Sequence, residues 1–159
     1  MLSTREYLLR LEQNLMLGSG RWVADFNESF WDYTVNDVTF AMLVSGGMRP
    51  KGFALSKIAS VFLMPDYHAA CFAYTDDPGL KRLPSVHQAV ERYMKDDKVN
   101  WSWVVVSHEG AFSQQARANV ERNESQNVGI ALVDLQAGEI ITNRSYIGRR
   151  MGRYVNVLR

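Results

Sequence analysis

Cysteine is nearly absent from this chain of 159 residues: Cys71 stands alone, so no internal disulfide and no multi-cysteine zinc site can form. Proline is scarce as well, with four residues, and no Pro/Gly/Ser-rich linker, internal repeat or low-complexity stretch divides the sequence. No apolar run approaches the ~18 residues needed to span a bilayer as a helix, so no membrane partner is expected. The first helical segment carries Arg5, Glu6 and Arg10 and does not read as a secretory signal, which makes the cytoplasm the expected compartment. Charge is unevenly spread towards the end of the chain. Residues 140–159 contain Arg144, Arg149, Arg150, Arg153 and Arg159 and no carboxylate, so the remainder is net −4 against +1 for the whole chain.

What is present fits one globular domain over residues 1–159, at 47% hydrophobic and 22% charged. Ser3-Thr4-Arg5-Glu6 has the form of a capping box, and Tyr7, Leu8, Leu11 and Leu15 follow at helical spacing until Gly18-Ser19-Gly20. A helix over about 4–17 results, within an N-terminal element of residues 1–20. Residues 21–38 mix Trp22, Phe26, Phe30 and Trp31 with Asp25, Glu28, Asp32 and Asp37, and read as a short helix or an irregular aromatic segment. Val38 to Ser45 reads as a strand closed by Gly46-Gly47, and Met48 to Gly52 as a loop. Phe53 to Met64 fits either a helix or a buried strand ended by Pro65. Ala69 to Thr75 is a further strand, closed by Asp76-Asp77-Pro78-Gly79.

Pro84 suits a helix start, and Val86, Ala89, Val90, Tyr93 and Met94 form one face over about 84–96. Then come the strand from Val99 to Ser107, a polar helix from the N-cap Ser113 to about Glu124, and the strand Val128 to Leu135. Gln136-Ala137-Gly138-Glu139 turns into Ile140-Ile141-Thr142, a hairpin, and residues 140–159 form a basic C-terminal segment. Val104-Val105-Val106 and Val128 to Val133 are apolar on consecutive positions, as expected of neighbouring parallel strands covered on both faces. The expected fold is a single α/β domain with a mixed sheet of about five strands flanked by helices.

The order of elements, with Val104-Val105-Val106-Ser107, Phe112-Ser113-Gln114-Gln115-Ala116-Arg117 and Gly129-Ile130-Ala131-Leu132-Val133-Asp134, resembles the restriction-endonuclease-like (PD-(D/E)XK) superfamily. The phrase is similar to the second half of nucleases that cleave modified DNA, where a strand precedes a helix opening Phe-Ser-x-x-Ala and a strand of the Ile-x-Leu-Ile-Asp type follows. The resemblance covers about residues 55–135. It implies a divalent cation, Mg or Mn, held by an Asp after one strand and by Asp/Glu-x-Lys on the next, for phosphodiester hydrolysis. Pro65-Asp66 supplies the first half, making Asp66 the candidate metal ligand and catalytic acid. On the next strand Cys71 and Ala73 stand where an acid and a lysine are needed, so the resemblance implies a degenerate or reshaped member. Replacements could come from Glu91 on the following helix, the second catalytic candidate, from Asp76, Asp77 and Lys81, or from Glu6 or Glu12.

Arg144, Arg149, Arg150 and Arg153, interleaved with Tyr146 and Tyr154, are the candidate nucleic-acid-binding residues, because arginine contacts phosphate and tyrosine stacks on bases. The alternative is a basic element that pairs with acids of its own domain or of a partner. Ser107-His108-Glu109 lies where α/β sheets bind ligands, but successive strand residues point to opposite faces and cannot form a relay among themselves. His68 and His87 lack metal-ligand spacing, and Cys71 reads as a small core residue. The glycines of Ser45 to Gly52 lack the Gly-Lys-Ser/Thr end of a P-loop. Trp101 and Trp103 share a strand face and are expected to pack under a helix.

A nuclease-like protein acting on DNA or RNA is therefore the expected function. Two other classes stay open: a non-catalytic structural or regulatory protein, homodimeric or docked on a protein partner, and a small-molecule-binding α/β module.

Overall fold

The computed structural model describes residues 1–47, 68–75 and 77–159. Asp66, Asp76, the glycine-rich loop beyond Gly47 and the Phe53 to Met64 segment lie outside the described residues. The elements run α1 (Thr4–Met16), a 3₁₀ turn (Ser19–Trp22), β1 (Asp25–Val35), β2 (Val38–Gly47), β3 (His68–Thr75), α2 (Leu83–Asp96), β4 (Trp101–His108), α3 (Gln114–Arg122), β5 (Val128–Asp134), β6 (Glu139–Thr142) and α4 (Tyr146–Val155).

Six strands, one more than expected, form a mixed sheet in chain order. β1, β2 and β3 are an antiparallel meander. β3, β4 and β5 are parallel, with Trp103 opposite Gly129 and Val105 opposite Ala131, and β6 returns antiparallel to β5. The parallel pairing of the two valine-rich strands is as their continuous apolarity requires, since helices cover both faces. On one side, Val86, Val90 and Tyr93 of α2 and Ala116 and Val120 of α3 pack on Phe72, Val104, Val106, Ile130 and Leu132. On the other, Tyr7, Leu11 and Leu15 of α1 and Met151, Tyr154 and Val155 of α4 pack on Cys71, Trp103, Val105, Ala131 and Val133. Each large side chain so buried contributes about 1.5–3 kcal/mol of transfer free energy.

The expected caps form. Ser3 and Glu6 close the capping box of α1, and Ser113 Oγ accepts from the Ala116 N–H at 3.1 Å. The expectation of a helix or irregular segment over 21–38 is corrected: an eleven-residue strand follows the 3₁₀ turn. A register shift between Phe26 and Glu28 and a left-handed Asp32 (φ 52°) break its alternation, and as an edge strand it keeps most side chains in water.

Most of the basic C-terminal segment is β6, the expected hairpin strand, and the helix α4. Its seat is specific. Beyond the end of β6, Asn143 continues the pairing with β5 through main chain and side chain together. Its N–H donates to Ile130 O at 3.0 Å, its Oδ1 accepts from the Ile130 N–H at 2.9 Å, and its Nδ2 donates to Val128 O at 3.1 Å. The fully buried carboxamide thus satisfies β5 groups that a longer β6 would have paired. Two residues on, Ser145 Oγ caps α4 by accepting from the Gly148 N–H at 3.0 Å. A Cβ on Gly148 would lie 1.8 Å from Asn143 Oδ1, and one on Gly129 would lie within 3 Å of Met151 and Ile147, so both glycines let helix and strand approach closely.

Asn143→Ala leaves a buried N–H and a buried C=O without partners. It should lower the unfolding free energy by about 2–4 kcal/mol in urea denaturation. Gly148→Ala should destabilise comparably, and a loss below about 0.5 kcal/mol in both would show that the α4 seat is not specific.

Candidate nucleic-acid interface

Tyr146, Arg149, Arg150 and Arg153 recur at i, i+3, i+4 and i+7 and occupy one exposed face of α4, with Arg144 exposed just before the helix. The opposite face, Gly148, Met151, Tyr154 and Val155, is buried. Thus the structure puts three of the four candidate arginines on one face and separates the two candidate tyrosines. Tyr146 is 65% exposed, whereas Tyr154 is 8% exposed and stacks on Trp103 with ring centroids 5.6 Å apart.

The arginines are not neutralised by the described acids of their own domain. Among the described residues, none of the four ion-pairs with a carboxylate, whereas Arg82, Arg92 and Arg117 each do. Nor do the last carbonyls of α4 need them. Asn14 Nδ2 donates to Tyr154 O at 2.7 Å, and the Tyr7 hydroxyl donates to Val155 O at 2.9 Å. No acid occupies the first turn of α4, so like charges crowd one helix face without compensation.

Arg150 is held in place. Its guanidinium donates to the Tyr146 hydroxyl, and its central carbon lies 5.4 Å from that ring's centroid. Hydrogen bonds to Tyr146 and then Tyr154 hold its pKa above the ordinary arginine value. A ladder therefore runs from solvent to core: Tyr146, Arg150, Tyr154, Trp103.

The metal candidates do not assemble among the described residues. Asp66 lies outside them. Glu91 sits on the outer side of α2, 3.0 Å from His87 Nε2, with its side chain 62% exposed. Asp77 is engaged as a turn residue, its carboxylate accepting from the N–H groups of Lys81 at 3.1 Å and Arg82 at 3.0 Å. Glu6 belongs to the α1 cap, and Glu12 holds the Ser29 hydroxyl and the Trp31 indole N–H. No group of three or more His, Cys, Asp or Glu suited to a metal occurs among the described residues. β3 itself has no acid or lysine to offer. Cys71 and Ala73 are fully buried against α1, and burial pushes the Cys71 thiol up to about 12. The described residues do not fit Mg or Mn.

At the end of β4, Ser107 joins the α1 side of the sheet, while His108 faces the α3 side and packs on Phe112 with ring centroids 6.0 Å apart. Glu109 is occupied: its carboxylate accepts from the Thr4 N–H at 2.7 Å, an anion at the start of α1. The Ser107 hydroxyl and His108 Nδ1 are buried without hydrogen-bond partners, but on opposite faces. Two clefts lie elsewhere. One of about 500 Å³ is lined by Arg10, Asn14, Asn156 and Arg159, and one of about 280 Å³ by Glu28, Ser45, His68 and Tyr93. A scan against protein-family models, a search of curated proteins and a search of solved structures each returned no match.

Asn143, Gly129 and Gly148, which set the position of the arginine face, have no recognisable spacing as a motif. The signal of the two glycines was the small residue in each of two otherwise bulky runs.

The bond from Thr4 holds Glu109 below the ordinary carboxyl value of 4.5. A carboxyl whose pKa is depressed by folding stabilises the fold above its unfolded value and ceases to do so as pH falls through the folded one. Glu109→Ala should therefore lower Tm at neutral pH, with the gap to the native chain closing on acidification below pH 4.5 in thermal melts. A gap that widens in acid would contradict this role.

Proposed function

We propose that this chain is a nuclease-like, nucleic-acid-interacting protein with a degenerate metal site, and that α4 is its phosphate-contacting element. One observation carries the reading: Arg149, Arg150 and Arg153 share one exposed face with Arg144 beside it, and no described carboxylate neutralises them. Exposed arginines without carboxylate partners suit a polyanion. Release of condensed counterions drives such binding, and the planar guanidinium matches phosphate with paired N–H donors.

The fold supports the nuclease-like half of the proposal at the level of element order. The resemblance to restriction-endonuclease-like proteins rests on the succession helix, two or three strands, helix, strand, helix, strand, and the chain has three strands at the first of these places. The buried, uncharged residues of β3 support the degenerate half. An acid and a lysine there would face a packed core in place of Cys71 and Ala73. Binding, with no hydrolytic step, is the activity the described residues favour.

Fluorescence anisotropy with labelled DNA or RNA, titrated over salt, tests this. Four phosphate contacts predict a log–log salt slope of about −3 to −4. Arg149→Ala with Arg150→Ala should weaken binding across sequences and reduce the slope by about 2. No binding at low salt, or a double variant with an unchanged slope, would remove the proposal.

A further inference from the structure

Phosphate contact alone needs only cations, yet the α4 face also holds an aromatic ring in water. Tyr146 is 65% exposed and has the Arg150 guanidinium over its ring, the central carbon 5.4 Å from the centroid. Arg149 and Arg153 stand on the same face at i+3 and i+7. The chain puts its other α4 tyrosine to a different use, stacking Tyr154 on Trp103 inside the domain. We propose that Tyr146 and Arg150 form a stacking platform for an unpaired base, so that this face takes single-stranded nucleic acid in preference to duplex.

The inference rests on the arginine reading above and goes beyond it in naming the form of the polymer. In a duplex each base face is already covered by its neighbours, so an exposed tyrosine gains nothing from them. In a single strand the faces are open, and a ring flanked by a guanidinium offers both π-stacking and cation–π contact while nearby arginines hold the adjacent phosphates. Preorganisation helps. Arg150 is already tied to the Tyr146 hydroxyl within the helix, so less side-chain freedom is lost when a base docks. The ring recognises base and not sugar, and the platform accepts DNA and RNA strands alike.

Anisotropy at low salt with the full chain separates the possibilities, using oligo-dT, oligo-rU, an abasic strand of equal length and charge, and a blunt duplex. Oligo-dT and oligo-rU should bind about tenfold more tightly than the abasic strand. Tyr146→Ala should abolish that advantage with the salt slope unchanged, and Tyr146→Phe should retain it. Equal affinity of the native chain for oligo-dT and the abasic strand, tighter binding of the duplex, or a Tyr146→Ala loss common to every probe would overturn the platform. Binding to none of the probes would instead remove the arginine reading beneath it.

Discussion

The buried carboxamide of Asn143 is the interaction on which the placement of the arginine face depends. β6 is only four residues long, and β5 would be left with an unpaired N–H at Ile130 and an unpaired C=O at Val128. One side chain satisfies both, and in doing so it fixes where the chain leaves the sheet and where α4 begins. Gly148 is the counterpart of that choice, since the helix start must lie against the carboxamide without a Cβ between them. Gly129 then lets Met151 and Ile147 settle onto β5. The helix is therefore placed by packing and hydrogen bonding on its inner side, independently of the charges on its outer side.

That independence gives the arginines their meaning. Ser145 caps the start of α4, and Asn14 and Tyr7 from α1 satisfy the last carbonyls. The cations repel one another and have no described carboxylate in reach, so they oppose the fold more than they support it. Local choices that conflict with stability while packing is otherwise consistent are expected at functional or strained sites. The acids that might have formed a cation centre show the reverse pattern: Glu6, Glu12, Asp77 and Glu109 each accept hydrogen bonds that hold a helix, strand or turn in place.

Much of this architecture was legible in the residues. The doubled apolar runs at Val104 and Ile130 carry enough β-branched bulk to require cover on both faces, and they lie parallel as that demands. α1, α2 and α3 followed their caps and periodicity. β1 did not, because a bulge and a left-handed Asp32 scramble the two-residue alternation by which a strand is recognised. α4 was read only as part of a basic segment because its three arginines and two glycines obscure the Ile147, Met151, Tyr154, Val155 stripe beneath. The arginine cluster itself was visible as composition. Its confinement to one face was not, and neither was the separation of Tyr146 from Tyr154, since both follow from the helix phase. Asn143 gave no signal at all, because long-range carboxamide pairing leaves no periodic trace.

Amide hydrogen exchange of the full chain, with and without a saturating single strand at low salt, tests the central claim most directly. The account predicts slowed exchange concentrated in residues 144–155, with the strand ends around His108 and the cleft near His68 unchanged. Protection at either of those places, with α4 unaffected, would contradict it.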